Sequence, residues 1–361
     1  MKREFFEHEE DFHSQNRKQF RKQRRHLTET DRSQFKKTDA LKPISGAPFD
    51  ALPRGRVVSI SGEGFWVELE GAAFLCSLKG ALKKESVLVK NLVTVGDFVR
   101  LEENCIAHIE ARSSTLARTE IRGQKEQLIA ANVDQVLIVV SLVQPPLKPA
   151  LIDRYLIAAR KGRNAAIIVV NKFDLLKASS DEEERYREFI AAYEPLGVPL
   201  LTVSTRTGTG IDSLRALMQG KTSVLAGQSG VGKSSLLNAT FGLVLKTGEL
   251  AKETSKGTHT TTSASLLALP GGGYCVDTPG IRSFGVWQLK RDDVMEQFHD
   301  LEKRGGGCRF QNCAHTQEPG CGVLRALKEG EVPLLRYESY LALLGEAVGG
   351  MDNRMRRKGS S

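Results

Sequence analysis

Residues 227–235 read Gly-Gln-Ser-Gly-Val-Gly-Lys-Ser-Ser and match the phosphate-binding pattern GxxxxGK[ST]. Glycines at these positions let backbone N–H groups turn inward around a β-phosphate, beside the positive end of a following helix. Lys233 is placed to bridge β- and γ-phosphate oxygens, and the Ser234 hydroxyl to hold Mg²⁺. A bare glycine turn is the alternative, but the flanking patterns predict a strand before the loop and a helix after it. The residues assigned to this loop are Gly227, Gln228, Ser229, Gly230, Val231, Gly232, Lys233, Ser234 and Ser235.

A second motif indicates which base the nucleotide carries. Residues 171–174 read Asn-Lys-Phe-Asp and follow the apolar stretch that ends at Val170. The Asp174 carboxylate can accept hydrogen bonds from the N1–H and the exocyclic amine of guanine, groups that adenine does not present in that arrangement. The pattern alone is typical of a surface turn, but behind a strand and beside a phosphate loop it favours GTP and GDP. The residues assigned to guanine are Asn171, Lys172, Phe173 and Asp174, with Ser204 and Thr205 as a second base loop.

Two further segments fit the γ-phosphate side of such a site. Residues 277–280 read Asp-Thr-Pro-Gly, so Asp277 would position Mg²⁺ through water and the Gly280 N–H would contact the γ-phosphate. Between this motif and the phosphate loop lies a run of threonines. We expect Thr261, or its neighbour Thr260, to join Ser234 in holding Mg²⁺.

The residue that activates water is not the usual one. In Ras-type enzymes a glutamine after the Asp-x-x-Gly motif orients the attacking water, whereas Ile281 stands here. His259 lies beside the threonines and can orient water or accept its proton once that loop is ordered. We therefore predict His259 as the catalytic group; the alternative is that it packs or contacts RNA.

The order of these motifs is permuted. Small GTPases normally run from the phosphate loop through the switch threonine and Asp-x-x-Gly to the two base loops. Here the base loops, at 171–174 and 204–205, precede the phosphate loop at 227–235. The sequence therefore predicts a circularly permuted domain whose switch segments lead directly into the C-terminal region, where nucleotide state could act on it.

A separate group of residues predicts a metal site. Cys308, Cys313, His315 and Cys321 supply three thiolates and one imidazole within fourteen residues, the donor set of a closed structural zinc site. Reduced cysteines clustered by accident are the alternative. With all four positions filled by protein, no catalytic water is expected.

The strands and helices that position these motifs follow different sequence patterns in different parts of the chain. About five short strands between Arg54 and Ala111 predict a small closed barrel of the OB type, in which Phe65 and Trp66 are expected in the core more readily than stacked on bases. Alternating apolar strands and helices from Val133 onward predict a doubly wound α/β domain. The expected division is a basic, disordered extension (1–45), an OB-like barrel (46–112), a circularly permuted α/β P-loop GTPase domain (113–290) and a zinc-binding helical C-terminal domain with a basic tail (291–361).

Composition limits the remaining classes. The chain has 361 residues and a formal net charge of +9, which favours an anionic partner such as nucleic acid. The N-terminal part carries nine Lys or Arg between Arg17 and Lys37, consistent with either a basic arm on nucleic acid or a solvated tail. The longest apolar stretch is far short of the ~20 residues that cross a bilayer. We expect a cytoplasmic protein without a secretory signal.

Permuted base loops before the phosphate loop, an OB-like barrel ahead of them and a Cys/His cluster behind them resemble the ribosome small-subunit-dependent GTPase family (RsgA, also called YjeQ). The resemblance covers roughly residues 54–346. It implies GTP hydrolysis, stimulated by the small ribosomal subunit during its late maturation, with rRNA contacts from the barrel and the zinc domain. We expect a monomer that binds the small subunit, its rRNA and GTP or GDP, with one structural Zn²⁺ and Mg²⁺ beside the nucleotide, and no membrane. The N-terminal extension and Thr258 depart from the family pattern. The alternative is a nucleotide-gated RNA-binding scaffold whose hydrolysis is incidental.

Overall fold

The computed structural model of the protein describes residues 49–80, 82, 92–119, 126–177, 180–245, 264–277 and 289–358. The strands are β1 (Arg54–Ile60), β2 (Phe65–Leu69), β3 (Ala72–Leu78), β4 (Phe98–Glu102), β5 (Cys105–Ile109), β6 (Thr115–Thr119), β7 (Glu126–Ala131), β8 (Gln135–Val140), β9 (Ala165–Val170), β10 (Leu200–Thr202), β11 (Thr222–Ala226), β12 (Ser265–Ala268) and β13 (Tyr274–Asp277). The α-helices are α1 (Pro149–Lys161), α2 (Ser180–Tyr193), α3 (Ile211–Met218), α4 (Lys233–Phe241), α5 (Arg291–Gln297), α6 (His299–Gly305), α7 (Gly322–Lys328) and α8 (Leu334–Lys358). Within these ranges, no helix combines the length and the apolarity needed to cross a membrane.

Strands β1 to β5 form the predicted closed barrel. Their order is β1-β2-β3-β5-β4, and β4 pairs back with β1. The β3–β5 pair is parallel and the others are antiparallel. Fully buried residues fill the interior, among them Val57, Val67, Val99 and Ile106. The barrel is thus closed around its own core.

The two aromatic residues of β2, Phe65 and Trp66, lie on opposite faces of the strand. Phe65 is half-buried and packs against the barrel core, as predicted, whereas Trp66 is 37% exposed. The prediction was wrong for Trp66 because successive side chains of a strand point to opposite faces. Trp66 pairs with Leu75 of β3, which is also exposed.

The second half of the sheet is the predicted α/β layer. Its strand order is β10-β9-β8-β11-β13-β12, parallel except for β12. Every residue of β8 is buried; Ile138 faces a core formed with α1 and α2, and Val139 faces a core formed with α3 and α4. Helices on both faces explain the unbroken apolar runs that marked these strands.

Strand β12 and the β6–β7 hairpin were not predicted from the sequence. The hairpin is held by long-range backbone bonds, including Ala131 N–H to the Val95 carbonyl at 2.8 Å. Strand β12 pairs with β13 on one side and, through Ser265 opposite Ser59, with barrel strand β1 on the other. Each element pairs with a strand close by in sequence, but its place in the fold also depends on a contact distant in sequence, with Val95 or with β1, which no local pattern indicates.

Arg56 of β1 joins the barrel to the α/β sheet. Its guanidinium donates to the Asn132 carbonyl at 3.1 Å and to Thr222 Oγ1 at 2.7 Å. It also lies over the rings of Phe98 and Tyr274, 5.1 and 4.9 Å from their centroids. Because Thr222 and Tyr274 begin β11 and β13, Arg56 ties the barrel to the strands that lead to the phosphate motifs.

The C-terminal helices α5 to α8 pack around a third core. It contains Phe298, Tyr340 and Leu343, together with Ile157 from α1. Helix α1 therefore belongs to two cores, since its Ile152 packs in the α/β layer. The N-terminal extension predicted at residues 1–45 lies outside the described residues.

Two glycines with similar backbone conformations test the junction beside the barrel. Gly96 has a φ of +90° and Gly71 a φ of +82°. A Cβ at Gly96 would lie 2.1 Å from the Ala131 carbonyl oxygen, whereas nothing lies within 4 Å of one at Gly71. We expect Gly96→Ala to lower the free energy of unfolding by about 3 kcal/mol, and Gly71→Ala by about 1 kcal/mol from backbone strain alone. Urea unfolding followed by tryptophan fluorescence measures both, and equal shifts would contradict the contact.

Candidate functional site: a nucleotide cleft and a Cys/His cluster

The nucleotide motifs meet at one edge of the α/β sheet. Strand β11 ends at Ala226 and leads into the 227–235 loop, β9 ends at Val170 before Asn171, and β10 ends before Ser204. These strands are parallel, so their carboxyl ends lie on the same edge. In open α/β sheets that edge is where ligands bind.

The 227–235 loop is shaped by glycines in close contact with neighbouring backbone and side chains. Gly227 and Gly232 have φ values of +145° and +96°. A Cβ at Gly227 would lie 2.1 Å from the Val139 carbonyl oxygen, and one at Gly232 would lie 2.5 Å from Asn171 Nδ2. Helix α4 starts at Lys233, so its N-terminal N–H groups border the loop, as an anion site requires.

The Lys233 ammonium folds back onto the loop. Its Nζ donates to the Gly227 carbonyl at 2.7 Å and to the Gln228 carbonyl at 3.0 Å. The ammonium group of Lys233 therefore lies against the backbone of the loop, close to where a bound phosphate would lie.

The Asn-Lys-Phe-Asp motif is bonded directly to this loop. Asn171 Nδ2 donates to the Val231 carbonyl at 2.7 Å. Lys172 Nζ donates to the Gly230 carbonyl at 2.9 Å and to the Gln144 carbonyl at 2.8 Å. Asn171 Oδ1 is buried and has no hydrogen-bond partner within the described part of the chain. The structure therefore brings the predicted base and phosphate motifs together and leaves a buried acceptor beside them.

Asp174 and Ser204 join the two base loops. Ser204 Oγ donates to Asp174 Oδ1 at 2.6 Å and accepts the N–H groups of Arg206 and Thr207, each at 3.3 Å. Ser204 is fully buried, while Thr205 is exposed. Ser204 thus orients the Asp174 carboxylate.

Only some of the remaining predicted site residues lie within the described part of the chain. Phe173 lies edge-on to Tyr186 at 5.5 Å between ring centroids, so it packs against α2. Asp277 is the last residue of β13, opposite Ser265. His259, Thr260, Thr261 and Gly280 fall outside the described residues.

Two contributors to the cleft escaped sequence reasoning. Gln144 offers its carbonyl to Lys172. Tyr155 of α1 is buried and lines the same small cavity as Gly227. Burial raises the pKa of Tyr155, and the nearby Gly227 backbone partly opposes that rise. A tyrosine within an apolar helix face is indistinguishable in sequence from an ordinary core residue.

The four predicted metal ligands converge. Cys308 Sγ lies 3.9 Å from Cys321 Sγ, and His315 Nδ1 lies 3.4 and 3.5 Å from those two sulfurs. With Cys313 included, all four ligand atoms are within 4.8 Å of one another. Tetrahedral zinc bound by sulfur at about 2.3 Å and nitrogen at about 2.0 Å requires ligand separations of about 3.5 to 3.8 Å. The cluster fits that ion.

The surroundings orient the cluster. Glu302 Oε1 lies 3.4 Å from His315 Nε2, which leaves Nδ1 facing the sulfurs. The Tyr337 hydroxyl donates to the His315 carbonyl at 2.8 Å. Burial raises the pKa of the Cys313 thiol to about 12, and the neighbouring sulfurs add to the rise. A dication held by these residues would offset this cost, because it would stabilise the thiolates.

The chain resembles proteins of one family. A family model described as "RsgA GTPase" matches residues 109–287. A protein of Chlorobaculum parvum is 39% identical over 306 residues, covering 80% of this chain and 96% of its own length, and one of Bacteroides fragilis is 35% identical over 306 residues, covering 82% and 98%. Both are named "Small ribosomal subunit biogenesis GTPase RsgA".

Two solved structures resemble the fold. YjeQ from Thermotoga maritima is 34% identical, with a TM-score of 0.64 over 82% of this chain and 99% of that one. YloQ, described as a circularly permuted GTPase, is 27% identical, with a TM-score of 0.58 over 83% and 96%. The permuted order predicted from the motifs is confirmed.

Replacing one cysteine of the cluster tests the metal site. We expect about one equivalent of Zn²⁺ in the wild-type protein and a large loss in Cys313→Ser, because a closed site needs all four ligands. Hydrogen exchange in α7 and α8 should accelerate, while saturating GDP still binds, since no cluster ligand lies in a nucleotide loop. Cys105→Ser in the barrel is the matched control. Full C-terminal protection after exhaustive chelation would contradict a structural metal.

Asp174→Asn tests the choice of base. Two charge-assisted hydrogen bonds to guanine, each worth about 1.5–3 kcal/mol, would be lost. We expect GTP affinity to fall at least about 10²-fold and XTP to become the preferred ligand, because xanthine presents an acceptor where guanine has a donor. Competition binding against GTP, XTP and ATP measures this, with the exposed Asp181→Asn as control. Equal wild-type affinity for ATP and GTP would overturn the assignment.

Proposed function

The chain belongs to the RsgA GTPase family, and from this membership we propose that it acts in the late maturation of the small ribosomal subunit. It is a GTP hydrolase with the circularly permuted fold. The names of its relatives support the subunit as the target. The proposal includes stimulation of hydrolysis by the small subunit and contact with its rRNA.

The observation that carries the proposal is the bonded contact between the base motif and the phosphate loop. Asn171 and Lys172 donate hydrogen bonds to the carbonyls of Val231 and Gly230, which supports one cleft in which Asp174 would recognise guanine and the 227–235 loop would bind phosphate. Asp174 would accept the N1–H and amine of guanine while Ser204 holds it in place. The need to orient the Asp174 carboxylate explains why Ser204, which follows β10, is buried.

The positive charge that would bind the phosphates is the ammonium group of Lys233, which already lies against the loop. When phosphates enter, Lys233 would exchange its bonds to the Gly227 and Gln228 carbonyls for bonds to phosphate oxygens. The N–H groups at the start of α4 would face the same oxygens. Both contacts favour the charge that develops during phosphoryl transfer.

The donor set also suits Mg²⁺. Ser234 lies in the first turn of α4, and Asp277 is the last residue of β13, the strand beside β11. With Thr261 they would hold the ion, which would neutralise charge on the β- and γ-phosphates. Ile281 stands where Ras-type enzymes have the glutamine that orients the attacking water, and its side chain cannot hydrogen-bond water. His259 would therefore take that role.

The remaining regions would serve binding. We assign residues 46–112 and 291–361 to rRNA contact, the latter built around zinc at Cys308, Cys313, His315 and Cys321, and residues 113–290 to the nucleotide. The protein would act as a monomer in the cytoplasm. Turnover measured with purified small subunits, large subunits and neither tests this proposal. Strong stimulation by small subunits alone is expected, and equal rates in all three conditions would contradict it.

His259→Ala tests how water is activated. We expect nucleotide affinity to remain within a factor of two and turnover stimulated by small subunits to fall about 10²-fold or more, as expected for loss of a general acid–base group. His299→Ala, an exposed histidine outside the nucleotide loops, is the control. Stimulated turnover within twofold of wild type would leave water activation to the ribosome or to loop ordering.

A further inference from the structure

A buried ionic network joins α1 to the C-terminal helices. Arg336 of α8 pairs with Asp153 of α1, and both side chains are fully buried. Arg336 also pairs with Asp300 of α6 at 2.8 Å and donates to the Gln297 carbonyl at 3.0 Å. Its guanidinium lies over the Phe298 ring, 4.1 Å from the centroid. A charge buried this deeply is tolerated only when it is fully paired.

Asp153 accepts hydrogen bonds from three neighbouring helices. Ser339 Oγ donates to its Oδ2 at 2.5 Å, Tyr193 OH to its Oδ2 at 3.1 Å and Gln297 Nε2 to its Oδ1 at 3.2 Å. Helices α1, α2, α5 and α8 therefore meet at one carboxylate. If α8 moves away, Asp153 loses its counter-ion, so intermediate arrangements of these helices are disfavoured.

The other face of α1 touches the phosphate loop. Tyr155 is two residues after Asp153, which places the two side chains on opposite sides of the helix. Its buried side chain lies beside Gly227, and a small cavity between the helix and the loop is lined by Ile152, Tyr155, Gly227 and Val231. The segment leading into α1 supplies the Gln144 carbonyl that Lys172 contacts.

We propose that α1 couples nucleotide binding in the 227–235 loop to the seating of the C-terminal helices, with Asp153 and Arg336 as positioning residues on one face and Tyr155 on the other. The proposal rests on the proposed function only in assigning that loop to GTP. It supplies a route by which a partner bound to the C-terminal helices would regulate the nucleotide site. The route runs through packed side chains and does not need the covalent connection from Asp277.

Hydrogen exchange on the wild-type, zinc-loaded full-length protein is the first test. Coupling is reciprocal, so GDP must stabilise the seated state of α8 if α8 stabilises GDP binding. We expect amides of residues 339–344 to exchange at least about threefold more slowly with saturating GDP, and barrel strand β2 to be unaffected. Protection of the 227–235 loop without any change in α8 would overturn the proposal.

Three variants test the route itself, using fluorescent GDP and a non-hydrolysable GTP analogue. We expect Arg336→Gln and Tyr155→Phe each to weaken binding about 5-fold or more, within the usual range of coupling between sites. The double variant should bind about as weakly as the weaker single variant, because both interrupt one path. Glu346→Gln, which breaks the more exposed Arg154–Glu346 pair between the same two helices, is the control and should stay within twofold.

Multiplicative effects in the double variant, or an equal loss in Glu346→Gln, would overturn the proposal. If Arg336→Gln does not fold, Arg336→Lys retains the charge, and the wild-type exchange experiment decides alone. None of these measurements uses ribosomal subunits. A protein whose turnover ignores small subunits would therefore refute the proposed function without touching the coupling, and an unresponsive α8 would refute the coupling alone.

Discussion

Two hydrogen bonds that join loops about sixty residues apart hold the nucleotide cleft together. Asn171 and Lys172 donate to the carbonyls of Val231 and Gly230, so the base motif cannot move without the phosphate loop. Gly232 allows this approach, because a side chain there would collide with Asn171. The amide and ammonium donors of the base motif thus set the shape of the loop, and the orientation of Asp174 by Ser204 completes the cleft.

The barrel covers one edge of the α/β sheet. Strand β12, which would otherwise be an exposed edge, pairs with barrel strand β1. Covering an edge removes a site for unwanted strand pairing and makes the barrel a continuation of the α/β sheet. Arg56 reinforces this junction at the strand ends opposite the nucleotide. The barrel is therefore attached at two places to strands that lead toward the phosphate motifs.

The loop that carries the Cys/His cluster has few apolar residues of its own, although the C-terminal helices around it form a core. The ligand cluster and its supporting bonds from Tyr337 and Glu302 order a segment with few apolar residues. Burial raises the pKa of Glu318, but hydrogen bonds from the backbone N–H groups of Ala314, Thr316 and Gln317 outweigh it and lower the pKa to about 2. The charged Glu318 carboxylate therefore holds the backbone of this loop in place at neutral pH. The C-terminal helices then dock on α1 through apolar contacts and one buried ion pair. Specific docking by a buried charge pair favours one arrangement over many.

The sequence by itself determined which motifs the chain carries: the phosphate-loop pattern, the Asn-Lys-Phe-Asp motif, their permuted order, the Cys/His cluster, and the strand and helix patterns of the barrel and the α/β sheet. These features are local, since a few residues at fixed spacing dictate backbone shape and donor atoms. Only the tertiary structure decided that Trp66 faces outward, that β12 joins the barrel, that Tyr155 supports Gly227 and that Asp153 meets Arg336. The last two residues are 183 positions apart, and each on its own is an ordinary polar residue in a helix. Their meaning depends on which helices pack together, and that is set by contacts spread over the whole chain.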